Sequence, residues 1–438
     1  MKFQEKLLYS HIAFEELFDV NNPIHDKRLE ALKIFEKKGF PTRKDEAWKY
    51  TSLNSLINRD YALFPKKETP IELKKVKKFF LYEIDTYKII FIDGVYSPFL
   101  SDTTHDGLDV CLMSAALSKF KYRKIIERYF GKAAENKDSL TALNTSYTRE
   151  GAYIYVPKNI VAEKPIEIIH FSTGKEESIW LQPRNLIVLD SNSQVQIIER
   201  HQSLKSHEVV TNSVTEIYTN KDALLDYYKI QNDLDSSSLI DNTYISQEKN
   251  STASVHTFSL GGKIVRNNLN FFHTGQRINS TLKGITILDG DQHVDHYTLV
   301  KHSEPNCESF QEYKGIFSEK SKGVFNGKIF VESLAQKTNA FQQSNNLLLD
   351  DMATVNTKPQ LEIFADDVKC SHGCTIGQLD NDALFYLRSR GVPKKEAKAL
   401  LTYAFANNIL DGVQLPVIKK LIKSLISKKL GVNLGFDL

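Results

Sequence analysis

The residues with the clearest chemical potential lie together near the end of the chain, in Cys370-Ser371-His372-Gly373-Cys374. Thiolates suit zinc, copper(I) or iron–sulfur species, and imidazole tolerates most of these. In a strand alternate side chains share a face, so Cys370, His372 and Cys374 would point the same way. Adjacent members would then stand about 6.6 Å apart and the outer pair about 13 Å apart. Zn–S bonds are near ~2.3 Å, so one flat strand cannot surround one metal. A site here needs a bend, which Gly373 is placed to allow, or ligands from another strand or another chain. The plainer alternative is two small buried cysteines and a hydrogen-bonded histidine.

A second cluster is Asp291-Gln292-His293-Val294-Asp295-His296, with His302 and Cys307 nearby. On a strand Asp291 and His293 share a face, as do His293 and Asp295. Metal binding is one reading, and a polar corner is the other. His170, His201, His207, His256 and His273 stand isolated and are expected to be structural or surface residues. The lone Cys111 is expected to pack. Gly323-Val324-Phe325-Asn326-Gly327-Lys328 looks superficially like a phosphate loop. It has three residues between the glycines rather than four, and Ile329 stands where Ser or Thr should bind magnesium. Neither G-x-G-x-x-G nor G-x-S-x-G occurs, so dinucleotide and serine-hydrolase chemistry have no local support. The pairs Asp350-Asp351 and Asp366-Asp367 are candidates for glycoside chemistry, but adjacent residues of a strand face opposite ways and nothing in the sequence makes them converge.

The elements that must carry these residues fall into three zones. Roughly 1–140 opens with helical spacing. Phe3, Leu7 and Leu8 share one face, and Phe14, Leu17 and Phe18 share another. A clearer helix runs from about Asp26 to Lys38, with Leu29, Leu32, Ile34 and Phe35 as its stripe, Gly39 at C′ and Pro41 beyond. Tyr87–Ile92 followed by Asp93-Gly94 reads as a strand into a tight turn. From about 145 to 370 short β-rich runs recur every 8 to 15 residues, with small polar residues at the corners and no amphipathic helix of ten residues. That excludes a doubly wound sheet and leaves a sandwich, a barrel or a parallel β-helix. Hairpin dipeptides are sparse, which favours stacked coils over antiparallel pairs.

From about 380 helices return. Asp380 can cap a helix bearing Ala383, Leu384 and Leu387 and ending at Gly391. Pro393 opens a second with Ala397, Leu400, Leu401 and Ala404. Pro416 opens a third with Ile418, Leu421, Ile422, Leu425 and Ile426. Its lysines, Lys419, Lys420, Lys423, Lys428 and Lys429, read first as a solvated face and second as a basic docking surface.

The whole chain has 438 residues, with 57 Lys+Arg against 54 Asp+Glu. That near-balance argues against a dedicated nucleic-acid binder. Four cysteines in such a length make no disulfide framework. No run of 18 apolar residues occurs, so no membrane span is expected. Acidic residues interrupt Met1 to Val20, so no signal peptide is expected and the location is read as cytoplasmic.

Longer stretches resemble a known family. Arg43-Lys44-Asp45-Glu46-Ala47-Trp48-Lys49-Tyr50-Thr51 is similar to the N-terminal signature of SufD-type proteins of the SufB/SufD family. Val368-Lys369-Cys370-Ser371-His372-Gly373, then Thr375-Ile376-Gly377-Gln378-Leu379-Asp380, then Leu384-Phe385-Tyr386-Leu387-Arg388-Ser389-Arg390-Gly391, form the most specific stretch. Ala152–Pro157, Glu163–Ile166 and Asn356–Ile363 add to it, so the resemblance spans 43 to 391. SufB typically carries a Glu-His-Glu-like stretch where this chain has Cys370-Ser371-His372-Gly373, which favours the SufD branch.

The resemblance implies a mainly β fold with helical termini: a right-handed parallel β-helix core over 141–378, an N-terminal helical or mixed domain over 1–140, and a C-terminal helical domain over 379–438. It implies a non-catalytic scaffold subunit of the cytoplasmic SUF iron–sulfur cluster assembly complex. Such a subunit pairs with SufB through the β-helix core and with the SufC ATPase through the C-terminal helices. No cofactor is expected to stay on the isolated chain; a transient iron–sulfur cluster belongs to the complex, and ATP enters only through SufC. A part in iron acquisition and self-pairing without SufB are further implications. His372 matches the family histidine implicated at the SufB–SufD interface, and Cys370 the cysteine two places before it. The two are the candidate interfacial ligands, shared with SufB. Cys374 departs from the pattern, where Ala is common. The competing expectation is a β-helix hydrolase or lyase acting alone, with a metal at Cys370/His372 or at His293/Asp295.

Overall fold

The computed structural model describes residues 2–18, 22–63, 71–103, 107–134, 138–173, 177–204 and 208–432. His207 lies outside them. The β-rich zone winds into a parallel β-helix of two facing sheets. One sheet steps from Ala152–Val156 through Arg184–Leu189, Val209–Thr219, Ser237–Gln247, Ile264–His273, His293–His302 and Lys322–Val331 to Thr354–Ile363. The other steps from Tyr87–Ile92 through Ile166–Ser172, Gln194–Ser203, Leu224–Gln231, Thr252–Ser259, Asn279–Leu288, Glu308–Phe317 and Thr338–Leu348 to Val368–Gly377. Consecutive strands alternate between the sheets, so each stacks on the strand two before it. The sandwich and barrel alternatives are thereby excluded.

Polar corners set the register. Asn159, Asn192, Asp222, Asn250 and Asn306 all take positive φ, between 57° and 62°. Asn and Asp reach this left-handed region more readily than other residues with a Cβ. Their side chains then link coils: Asn192 Nδ2 donates to Asn159 Oδ1 at 3.0 Å, and Asn250 Nδ2 to Asp222 Oδ1 at 2.7 Å.

Inward side chains such as Ile154, Ile168, Ile197, Tyr227, Val255 and Phe271 fill the space between the sheets. The outer faces are apolar too, because helices cover them. Met113, Ala116, Tyr122 and Ile126 pack on Tyr153, Leu186 and Val188 of the first sheet. Tyr403, Ile409, Ile418, Ile422 and Ile426 pack on Ile198, Tyr228, Phe258 and Ile285 of the second. No helix among the described residues is long and apolar enough to cross a membrane.

The helices largely follow their sequence signals. His25–Lys38 ends on Gly39 at φ 65°, and Asp380 accepts from the amides of Asp382 and Ala383 to start Asn381–Ser389. Two stripes are corrected. In His25–Lys38 the buried residues are Arg28, Ala31 and Phe35, whereas Leu32 and Ile34 are half-buried and Leu29 is exposed; the helix turns Arg28 inward, where it donates to the Thr148 carbonyl at 2.8 Å. In Lys394–Leu410 the buried residues are Ala397, Ala399, Thr402, Tyr403, Ala406, Ile409 and Leu410. Leu400 and Leu401 are half-buried and Ala404 is exposed. The helix turns its small residues and Tyr403 toward the sheet, where they permit close approach, and Lys314 Nζ donates to the Phe405 carbonyl at 2.8 Å.

Candidate functional site

Among the described residues, the two final strands, Thr354–Ile363 and Val368–Gly377, are each hydrogen-bonded on one side only. Every earlier coil of the helix has a successor, and this one ends the stack. An edge of this kind offers a row of unused backbone donors and acceptors. On this last coil stand apolar side chains that water reaches: Phe364 at 62% exposure and Ile376 at 49%.

The register fixes where the cysteine–histidine cluster points. Cys370, His372 and Cys374 pair with Ala340, Gln342 and Ser344 of the preceding coil. Those three are buried between the sheets. All three chemical side chains therefore face the interior channel of the last coil, with no coil above them. The shared face expected from their spacing is present. Cys370 is half-buried beside Ile329, Val331, Ala340 and Leu361, and burial pushes its thiol up from the usual value. His372 and Cys374 are exposed. A Cβ placed on Gly373 or Gly377 would meet nothing within 4 Å. The strand continues as regular strand through Gly373, so no local bend gathers the three ligands. What the end coil can do chemically is present a thiol and an imidazole to a facing surface.

The second cluster has a different role. His293 and Asp295 lie on the outer face of the first sheet, where Thr51 Oγ1 stands 2.8 Å from His293 Nε2 and also donates to Asp295. Asp295 is ion-paired with buried Arg266, whose guanidinium lies 4.6 Å from the Trp48 ring centre. Glu46 pairs with Lys358 of the last coil. Asp45-Glu46-Ala47-Trp48 and Thr51 are thus a clamp that seats the N-terminal region on the β-helix. His296 turns inward to Thr286, and His302 inward to Ser309. Asp291 is exposed, and the Cys307 thiol donates to the Gly275 carbonyl at 3.3 Å. These residues do not converge. The glycine run at 323–328 is part of the strand Lys322–Val331, not a loop before a helix. Cys111 packs half-buried beside the helices on the first sheet.

Three of the histidines read as isolated have histidine neighbours. His170 stacks on His201 at 4.7 Å, and His273 meets His302 at 4.4 Å. The signal was their separation, near the length of one coil, and it is invisible until the coil length is known.

At the C-terminal side, Asn381–Ser389 buries none of its residues. Ala383, Leu384 and Leu387 are half-buried, while Phe385 and Tyr386 are exposed at 74% and 57%. Two of the lysines on Pro416–Lys429 pair within the chain, Lys420 with Glu83 and Lys429 with Asp289.

Comparison with known proteins agrees with this architecture. Residues 170–405 match the family described as SUF system FeS cluster assembly, SufBD core domain, and residues 12–168 match the SufBD protein N-terminal region. An iron–sulfur cluster assembly SufBD family protein of Synechocystis is 32% identical, over 92% of this chain and 90% of its own. The iron–sulfur cluster assembly protein SufD of Escherichia coli is 30% identical over 96% of both chains. SufD of Bacillus subtilis is 28% identical over 70% of this chain and 71% of its own.

Proposed function

This chain belongs to the SufBD family of SUF-system FeS cluster assembly proteins, and we propose that it is the SufD-type scaffold subunit, which pairs with SufB through the open end of its β-helix. The observation that carries this reading is the uncapped last coil, with Cys370 and His372 facing into it. A partner coil laid on that edge satisfies the free backbone groups and covers Phe364 and Ile376. It also brings further ligands within bonding distance of Cys370 and His372, which a flat strand alone cannot do. The nascent iron–sulfur cluster is cargo at this junction, built between the chains and passed on.

The ATPase SufC docks on the C-terminal helices, where Phe385 and Tyr386 stand exposed on a helix that buries nothing. ATP acts only through SufC, consistent with the strand conformation of the one glycine-lysine run that resembles a phosphate loop. The chain itself is non-catalytic, works in the cytoplasm, and pairs with a second copy of itself when SufB is absent.

The test is co-expression with SufB and SufC of the same organism, purified by a tag on this chain. Wild type is expected to recover both partners with bound iron and sulfide. His372→Ala is expected to keep the complex and lose most of the cluster. Recovery of neither partner, with turnover by the isolated chain, would overturn the scaffold reading in favour of a β-helix enzyme.

A further inference from the structure

Three buried side chains converge inside the β-helix far from its open end. His170 comes from Ile166–Ser172, and Glu199 and His201 from the adjacent strand Gln194–Ser203. One ligand atom from each lies within 4.8 Å of the others. Glu199 Oε1 is 3.2 Å from His201 Nε2 and 3.7 Å from His170 Nε2. Two ligands on a tetrahedral first-row ion, with bonds of about 2.0 Å, stand roughly 3.3 Å apart. The two separations from Glu199 bracket that value.

Two features go beyond a hydrogen-bonded carboxylate–imidazole pair. His170 Nε2 is buried and has no hydrogen-bond partner among the described residues. Its ring is fixed between Phe91 at 5.1 Å and His201 at 4.7 Å, both nearly parallel to it, so the nitrogen is held toward Glu199. The second carboxylate oxygen accepts from the Tyr227 hydroxyl, which orients Glu199 as an outer-shell partner does in metal sites. The nearby Lys229 ammonium is ion-paired to Asp241. The two imidazoles keep 8% and 7% of their side-chain surface accessible and Glu199 keeps none, so the cluster is buried.

We propose that His170, Glu199 and His201 form a site for one first-row divalent cation of borderline softness, such as zinc or ferrous iron. Two imidazoles and one carboxylate are the donor set those ions take, with a water completing the coordination. The site is a resident one, distinct from the cargo junction. Its nearer strand, Gln194–Ser203, lies six steps from Val368–Gly377 in the same sheet, which at 4.8 Å per step is roughly 29 Å. The cation would tie the first coils together, because its ligands come from adjacent strands.

The experiment uses the full chain, stripped of metal and titrated anaerobically with Co2+. Expected are one equivalent bound per chain, visible d–d absorption without thiolate charge-transfer bands, and a melting temperature that rises with Co2+. Zn2+ should displace it. The triple variant C370S/H372A/C374S should bind Co2+ as wild type does, whereas H170Q/H201Q should bind at least tenfold more weakly. Should H170Q/H201Q fail to fold, the wild-type spectrum still decides, since sulfur ligation or no binding overturns the site. Undiminished binding by a folded H170Q/H201Q overturns it equally. Neither result bears on docking at the open end, which the triple variant reads separately.

Discussion

His372 stands in register with Gln342 on the preceding coil, yet Gln342 is fully buried and His372 is exposed. Both side chains face the same interior channel. The difference is the missing coil above His372, and it separates what folding needs from what docking needs. Gln342→Ala removes a buried amide that donates to Gln311 Oε1 at 3.3 Å, and is expected to cost about 1–3 kcal/mol. His372→Ala is expected to change stability by less than about 0.5 kcal/mol. Urea unfolding of the two variants checks this; an equal loss in both would place His372 in the folded core.

The N-terminal clamp should be worth more than its size suggests. Asp295→Ala leaves Arg266 buried without its ion-pair partner, and breaking such a pair costs about 3–5 kcal/mol. Thr51→Ala removes one hydroxyl shared by His293 and Asp295 and should cost about 1–2 kcal/mol. Denaturation midpoints give both numbers. A larger loss in Thr51→Ala than in Asp295→Ala would mean that the ion pair is not what seats the clamp.

Burial sets an acid limit on the fold. It holds His256, His296 and His302 down at about 4, from an ordinary value of about 6.5. Each is therefore neutral in the fold and binds a proton more readily when unfolded. Their contribution is complete above about pH 6.5 and is lost as pH falls toward 4. His201 runs the other way: burial lowers it, but the Glu199 carboxylate outweighs burial and raises it, so its share fades as pH rises. Among the described residues His256 has no partner on either ring nitrogen; it stacks on Tyr228 and feels the Lys283 charge. His256→Gln should flatten the loss of urea resistance between pH 6.5 and 4.5. An unchanged slope would assign the acid sensitivity to other groups.

Much of this architecture was legible because it follows from local rules. Asp380, Gly39 and Gly391 announce helix ends whatever surrounds them, and the alternation in Cys370, His372 and Cys374 fixes a shared face. What was hidden depends on coil length. His170 meets His201 and His273 meets His302 only after the chain has completed a turn, and coils vary in length between them. No sequence repeat marks the turn, because an interior row needs only matching volume and polarity from coil to coil. The stripe of Lys394–Leu410 was misplaced for a related reason. Leu400 and Leu401 are the more apolar choice, but the close approach to the sheet selects Ala399, Ala406 and the flat ring of Tyr403.

The exposed aromatic pair on Asn381–Ser389 offers a clean separation of partners. Phe385→Glu changes a side chain that is 74% exposed, so stability should hold within about 0.5 kcal/mol. Recovery of SufC with the tagged chain should fall at least tenfold while SufB is retained. Parallel loss of both partners would argue that the helix supports the open end instead.

The most direct measurement is thiol labelling of this chain alone and in complex with SufB. Cys374 is exposed at the open end, whereas Cys307 is buried in the β-helix and serves as an internal control. Alkylation followed by peptide mass analysis should find Cys374 labelled quickly in the isolated chain at low concentration and protected in the complex. Cys307 should stay unlabelled in both. Undiminished labelling of Cys374 in a complex shown to contain SufB would contradict docking at the open coil.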